Sequence, residues 1–106
     1  PVKPLAEPVA AAEVTRMPLP LRECPAKYTE EARGASVEGV VVLAAIIDEH
    51  GRARDITVVQ GLPHGLTQSA IAELTRCPFS PGERNGQPVP VRLREIKFRF
   101  VLAEGP

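Results

Sequence analysis

Tryptophan is absent from this 106-residue chain, and its other aromatic side chains are one tyrosine and three phenylalanines. An excess of either charge is also lacking, since thirteen Lys and Arg balance thirteen Asp and Glu. That balance argues against a domain-wide surface for nucleic acid or an anionic membrane. No apolar run approaches the ~18 residues of a membrane-spanning helix, and no signal peptide opens the sequence. We therefore expect any membrane anchor to lie outside this sequence.

The groups that catalysis or metal binding would need are equally scarce. His50 stands beside Asp48 and Glu49, but no second His or Cys lies at ligand spacing, which favours a solvated turn over a metal site or an acid–base pair. His64 reads as a loop residue, and no serine has the glycine-elbow context of a nucleophile. We predict a protein that is not an enzyme and that uses no metal or cofactor.

Prolines divide the chain into two parts. Residues 1–22 contain five prolines among Ala and Val, a composition that favours extended, polyproline-like chain and cannot form a core. We interpret residues 1–22 as the end of a Pro-rich linker and residues 23–106 as one small domain with a modest core. A tail without function remains an alternative for the first part.

Local patterns predict two helices in the domain. Thr29 is a capping hydroxyl, followed by carboxylates that suit the helix dipole, and the short helix stops at Gly34. Apolar side chains recur at helical spacing between residues 66 and 74, which predicts the main helix at Thr67–Arg76 with Thr67 as its cap. Pro78 ends this helix because proline lacks the amide donor.

Three strands complete the predicted fold. The run Val40–Ile47 is apolar on both faces, which indicates a central strand, and the turn Asp48–Gly51 connects it to a second strand at Arg52–Gln60. The last strand switches parity, which predicts a β-bulge near Arg94–Glu95. A right-handed crossover then gives an α+β fold whose three-stranded antiparallel sheet has the order 2-1-3, with the third strand at an edge.

The segment Cys77–Val89 joins the main helix to the last strand. Pro81–Gly82 and Asn85–Gly86 are turn residues that mark a short exposed excursion. Phe79 follows the helix break at the point where the chain must turn back onto the sheet. We therefore predict that Phe79 anchors the core.

Taken in order, these segments resemble the C-terminal domain of the TonB family over residues 25–102. The matching pieces are Tyr28–Arg33, Val37–Gly39, Ile47–Arg52, Val58–Val59, Ala70–Arg76, Phe79–Pro81 and Asn85–Val89. Each piece alone is a common turn or strand, so the specificity comes from the ordered series. The resemblance implies a periplasmic domain of a Gram-negative cell envelope, at the end of a Pro-rich stalk. In that family, an upstream segment tethers the stalk to the inner membrane and couples it to a proton-driven motor.

Three positions depart from the family's usual pattern. The family usually has an aromatic residue where Cys77 stands and proline where Thr29 stands. Members that couple to nutrient transporters carry a Gln-Pro motif where this chain has Pro25–Lys27. This motif helps to contact the receptor, so its absence favours a paralogue that serves another envelope machine, such as secretion or gliding.

The two cysteines are the most specific candidates after the fold. In a protein that resembles a periplasmic family, an even cysteine count permits a disulfide. We predict a bridge between Cys24 and Cys77, which would tie the linker's exit to the end of the main helix. Two separate thiols, one buried and one in a mobile segment, would serve as well structurally, and this alternative stays open.

The third strand is the predicted binding site for a protein partner. Basic residues alternate there with Phe98 and Phe100, and an extended peptide could pair with the free edge by β-augmentation while the basic side chains select acidic or polar partners. Ordinary solvent-facing charge that protects an edge from aggregation is the competing interpretation. The predicted site residues are Ile96, Lys97, Phe98, Arg99, Phe100, Val101 and Leu102.

Two functions follow from these features. In the first, the domain captures an extended segment of an outer-membrane receptor or envelope-machine component, and the stalk transmits force from the inner-membrane motor. In the second, the domain is an oligomerising scaffold, for instance a homodimer, whose edge strands pair with each other. No nucleic acid partner is expected in either case.

Overall fold

A sheet backed by one helix forms the centre of the fold in a computed structural model that describes residues 8–102. The predicted α+β class is confirmed. The helices are α1 (Glu30–Gly34) and α2 (Leu66–Arg76), and a single 3-10 turn spans Ala11–Glu13. The strands are β1 (Val9–Ala10), β2 (Leu19–Pro20), β3 (Gly39–Ile47), β4 (Ala53–Gln60), β5 (Phe79–Ser80), β6 (Gly82–Arg84), β7 (Gln87–Val89) and β8 (Val91–Phe100).

The main sheet has four strands in the order β1-β8-β3-β4, which corrects the predicted three-stranded sheet. The predicted part is present, since β3 is central and antiparallel to both β4 and β8. The additional strand β1 lies parallel to the start of β8, with Val9 opposite Val91 and a hydrogen bond of 2.8 Å from the Val9 amide to the Pro90 carbonyl. A strand of two residues has no alternation from which a sequence could reveal it.

The predicted bulge in the last strand is confirmed. Leu43 lies opposite Ile96, but Ala45 lies opposite Leu93, so two residues of β8, Arg94 and Glu95, face the single residue between them on β3. Because of this extra residue, the apolar side chains before and after the bulge lie on the same face of the sheet. Leu93 and Ile96 consequently both point toward the helix side of the sheet.

The core lies between the inner face of β3 and helix α2. Every second residue of β3, from Val41 to Ile47, is at most 2% exposed, whereas Val40, Val42 and Ala44 on the outer face are half-buried. The predicted anchor Phe79 is 6% exposed and belongs to this core. The other buried members are Ala32, Leu66, Ala70, Leu74, Cys77, Phe98 and Phe100.

The two helices begin in different ways. The Thr29 hydroxyl accepts a hydrogen bond of 3.1 Å from the Ala32 amide, as predicted for the cap of α1. The predicted cap of α2 is wrong, because the N-cap residue is Gly65, with φ of 83° and no side-chain bond. The Thr67 hydroxyl instead binds both the amide and the carbonyl of Leu62, at 2.8 and 2.9 Å. It therefore closes the loop before the helix.

The excursion between α2 and β8 contains two small pairings. Strands β6 and β7 form a hairpin around Asn85 and Gly86, both with positive φ, as a two-residue hairpin turn requires. Strand β5 pairs antiparallel with β2, which places Pro20 opposite Phe79. The Phe79 amide also donates to the Gly51 carbonyl at 2.9 Å. The excursion thus links the main sheet to the N-terminal segment.

The described part of the Pro-rich segment, residues 8–22, runs along the domain. After β1 it crosses the β6–β7 hairpin, where the Arg16 amide and carbonyl both bond to Glu83, and then it reaches β5. Residues 1–7 of the predicted linker and residues 103–106 of the predicted domain lie outside the described residues. The division of the chain at residue 22 stays a prediction. Between residues 8 and 102, no helix has the length and apolarity to cross a bilayer.

Candidate functional site

The outer edge of β8 is regular beyond the bulge at Arg94–Glu95 and, among the described residues, unpaired beyond Arg92. Strand β1 covers Val91 and Arg92. Beyond them, no other strand in the described part of the chain pairs with this edge. From Ile96 to Phe100 the register with β3 is uninterrupted. This stretch presents a continuous row of backbone donors and acceptors to an incoming strand.

The opposite edge of the main sheet is a poorer template. Strand β4 has two irregularities in its register with β3, and Asp55 takes a positive φ of 52° inside the strand. Bulges of this kind interrupt the ladder and twist an edge away from a new strand. Of the two edges, β8 is therefore better suited to strand addition.

The seven predicted partner-binding residues fall into three groups. Phe98 and Phe100 are 9% and 2% exposed and belong to the core, where the Phe100 ring meets Tyr28 edge-on at 5.5 Å. Phe100 can offer a partner only its backbone groups, whereas Phe98 also lines a groove on the inner side of the sheet. Lys97 and Arg99 are exposed, and Ile96 is half-buried. The last two predicted residues, Val101 and Leu102, lie just beyond the end of β8.

A basic row follows β8 on the outer face of the sheet. Arg92, Lys97 and Arg99 are exposed and lie beside Ile46, Val42 and Val40 of the central strand, respectively. Among residues 8–102, none of the three forms an ion pair. The outer face beside the edge is therefore positively charged, although the whole chain is neutral.

A groove of about 610 Å³ runs along the inner side of the same edge. Ile96, Phe98 and Leu93 of β8 form one wall. The other lining residues come from the N-terminal segment, from the end of α2 with the chain up to β5, and from β8 itself: Pro18, Pro20, Arg22, Glu23, Cys24, Leu74, Cys77, Phe79, Glu95 and Lys97. The edge thus borders a mainly apolar groove on one face, with Arg22, Glu23 and Glu95 among its lining residues, and basic side chains on the other.

Two contacts hold the N-terminal wall of this groove in place. The predicted disulfide between Cys24 and Cys77 is present, with the Cα atoms 5.8 Å apart. One turn earlier on α2, the Glu73 carboxylate receives hydrogen bonds from Arg76 at 2.8 Å and from Arg22 at 3.2 Å. These bonds, that of Arg76 first, lower the pKa of Glu73 from its ordinary value of 4.5, against the opposing effect of burial.

The histidines occupy turns. His50 is exposed, and its amide donates to the Asp48 carboxylate at 2.9 Å, which closes the β3–β4 turn. His64 is also exposed, with its Nδ1 4.0 Å from a Glu31 carboxylate oxygen. Within residues 8–102, no three His, Cys, Asp or Glu side chains are grouped so as to hold a metal ion.

Sequence reasoning did not predict that Glu73, Pro18 and Pro20 contribute to the site. Glu73 follows Ala70 by three residues and so lies on the buried face of α2, where a carboxylate needs a partner. That position is the signal that could have revealed it. No comparable pattern marks Pro18 and Pro20, because the proline-rich composition of their segment indicates only extended chain.

Comparison with known proteins agrees with this architecture. The sequence profile described as "Gram-negative bacterial TonB protein C-terminal" matches residues 25–102. Among solved structures, the solution NMR structure of the TonB C-terminal domain of Pseudomonas aeruginosa is similar, with a TM-score of 0.66 and 26% sequence identity. That match covers 84% of this chain and 90% of the Pseudomonas chain. No curated protein gave a significant match. Because the profile spans most of the chain, the protein belongs to the TonB C-terminal domain family.

Proposed function

We propose that this domain is the partner-binding end of an energy-transducing adaptor, and that it binds an extended segment of an envelope partner along the β8 edge. The family consists of non-enzymatic periplasmic adaptors of Gram-negative bacteria, which interact with outer-membrane receptors and inner-membrane proteins. The observation that carries the proposal is the regular backbone of Ile96–Phe100, whose outer edge pairs with no strand of residues 8–102. The partner adds a strand there by β-augmentation.

Strand addition suits a domain that transmits force. The hydrogen bonds of a ladder lie across the strands, so a pull along the strand direction loads several bonds together. The load comes from an inner-membrane motor through an anchor upstream of this sequence and through the Pro-rich segment. The partner is an outer-membrane receptor or a component of a secretion or motility machine.

The departures from the family pattern favour a partner other than a nutrient receptor. Where transporter-coupling members have a Gln-Pro motif, the Lys27 carbonyl accepts a hydrogen bond from the Ser69 hydroxyl. Thr29, in place of the usual proline, caps α1 and donates to the His64 carbonyl at 2.6 Å. Both residues bond to other parts of the domain. This supports a partner that belongs to an envelope machine other than a nutrient transporter.

An oligomerising scaffold is the second candidate, and one observation supports it. Val58 and Val59 at the edge strand β4 are 48% and 60% exposed, and exposed apolar residues on an edge strand favour pairing with another chain. Pairing of two β4 edges would cover them. Pairing of two β8 edges around Phe98 is disfavoured, because Lys97 of one copy would face Arg99 of the other.

Site-specific photo-crosslinking in the intact envelope tests the proposal. A photoreactive residue at Arg99 is expected to crosslink to an envelope protein, and a peptide made from the crosslinked segment should shift the amide resonances of Ile96–Phe100. The matched control is Thr57, which is exposed on the opposite edge strand. Crosslinks from Thr57 to a second copy of this chain, together with no crosslinks from Arg99, would support the scaffold function and overturn the adaptor function.

A further inference from the structure

A strand added to β8 would have two chemically different sides. Side chains of a β-strand point alternately to the two faces of the sheet. Added residues opposite Lys97 and Arg99 would point to the outer face, and those opposite Ile96 and Phe98 would point into the groove. The two faces of the site therefore favour two different kinds of side chain at alternating positions of the partner's strand.

The inner side accepts apolar side chains. Ile96 and Leu93 are only half-buried, although both point to the core side of the sheet. Opposite them stand the rings of Pro18 and Pro20, and Phe79 lies among the other lining residues. Apolar side chains placed in this groove would remove these surfaces from water, which is favourable in proportion to the area covered.

The outer side accepts acidic side chains. Lys97 and Arg99 lie two residues apart on the same face, and in the described part of the chain neither has an acidic partner. Opposite charges on directly facing residues of neighbouring strands attract, and like charges repel. The same rule disfavours a second copy of β8 as the occupant, since its basic row would face this one.

We infer that the partner segment alternates acidic and apolar residues, with the acidic side chains against Lys97 and Arg99 and the apolar ones in the groove beside Ile96. This inference rests on the proposed strand addition at β8. It also makes the N-terminal segment part of the site, because Pro18 and Pro20 form the far wall and the disulfide at Cys24 holds that wall against α2.

The first test uses synthetic peptides and the amide resonances of this chain. A capped peptide in which glutamate and valine alternate should shift the resonances of Ile96–Phe100. A peptide of the same composition, with all its glutamates before its valines, should bind about tenfold more weakly, because it cannot satisfy both faces at once. Equal affinity of the two peptides would overturn the alternating pattern.

The second test exchanges the charges. Replacing both basic residues, Lys97→Glu with Arg99→Glu, should weaken the glutamate–valine peptide by about tenfold, since two facing pairs become repulsive. A peptide in which lysine replaces glutamate should then bind this variant better than it binds the parent chain. The matched control, Arg52→Glu with Arg84→Glu, makes the same change in net charge at two exposed residues outside β8, one just after the β3–β4 turn and one in β6, and should leave both affinities unchanged.

The outcomes separate this inference from the proposed function. If the natural partner's segment shifts β8 but lacks the alternation, the inference fails and the adaptor stands. If the alternating peptide perturbs only β4, or if the control pair alters affinity as much as the β8 pair does, the charge pattern along β8 is not what selects the partner. If this chain self-associates through Ile96–Phe100, a second copy is the occupant and both proposals fail.

Discussion

The guanidinium of Arg22 lies 3.2 Å from the carboxylate of Glu73, so the N-terminal segment supplies one of two basic partners to the one charged residue buried in α2. The other partner, Arg76, lies three residues further along the same helix. This pair and the disulfide bind the segment to the same end of α2. The stability of the groove wall should therefore depend on the charge of Glu73.

We predict that acid loosens this contact. The pKa of Glu73 is lowered in the folded protein, so its ionised form contributes stability that is complete above its ordinary value of 4.5 and is lost as the pH falls through the lowered value. Glu73→Gln should melt at a lower temperature than the parent near neutral pH. The difference should shrink as the pH falls below about 4.5.

The control for this measurement is Glu38→Gln, because Glu38 is exposed and lies in no ion pair of the described residues. Its melting temperature should follow the parent's at every pH. A Glu73→Gln variant with the same offset at neutral and at acid pH would show that the carboxylate's charge is not what stabilises the contact.

We predict that Cys24 and Cys77 are joined in the oxidised protein and that the bridge stabilises the fold. A loop closed across a sequence separation of 53 residues corresponds to about 4 kcal/mol in the chain-entropy model, and measured losses are typically about 2–4 kcal/mol. Cys77→Ser should lower the free energy of unfolding within that range. Alkylation of the unfolded, unreduced chain followed by mass measurement checks the bond itself, and two labelled thiols would refute it.

We predict that Phe79 acts through the core. It is 6% exposed, and replacing a buried phenylalanine by alanine typically costs about 3–5 kcal/mol of stability. Phe79→Ala should therefore lower the denaturant midpoint strongly. Phe79→Leu, which keeps most of the apolar volume, should be much milder. Unchanged unfolding of the alanine variant would contradict the burial of this ring.

Two glycines allow backbone strain and steric overlap to be separated. Gly51 and Gly86 have nearly the same φ, 81° and 79°, but a Cβ at Gly51 would overlap the Phe79 carbonyl oxygen, whereas a Cβ at Gly86 would meet no atom within 4 Å. Gly86→Ala should cost only the left-handed conformation, about 1–2 kcal/mol. Gly51→Ala should cost more, because the Gly51–Phe79 backbone contact must also open. Equal losses of unfolding free energy in the two variants would show that this contact yields without cost.

Periodicity in the sequence was sufficient for the centre of the fold and insufficient for its periphery. The doubly apolar run Val40–Ile47 predicts the central strand, and the parity switch of the last strand predicts the bulge at Arg94–Glu95, because long elements repeat their pattern several times. The pairings of Val9–Ala10 and Leu19–Pro20 involve two residues each, so tertiary contact decides them. Thr67 satisfied the rule for a cap, but its hydroxyl found the backbone of Leu62 instead.

The sequence likewise predicts one part of the candidate site, the strand edge, and not the groove beside it. Edge position and basic alternation both follow from the sequence of β8, and they predict where a partner strand would lie. The groove beside it requires the N-terminal segment to fold back, and nothing in a proline-rich composition indicates where such a segment docks. The burial of Phe98 and Phe100 was not predicted, although the bulge that places both rings on the core face was.

The bridge between Cys24 and Cys77 also determines the path of mechanical tension through the molecule. A pull that enters along the N-terminal segment passes through the two sulfur atoms to Cys77 and then along the short connection to β8. The backbone of residues 25–76, which contains α1, β3, β4 and α2, forms a closed covalent loop outside that path. With the bridge intact, tension cannot extend this loop. Reduction of the disulfide would release this loop into the tether. The two cysteines are separated by 53 residues, which correspond to about 180 Å of extended chain.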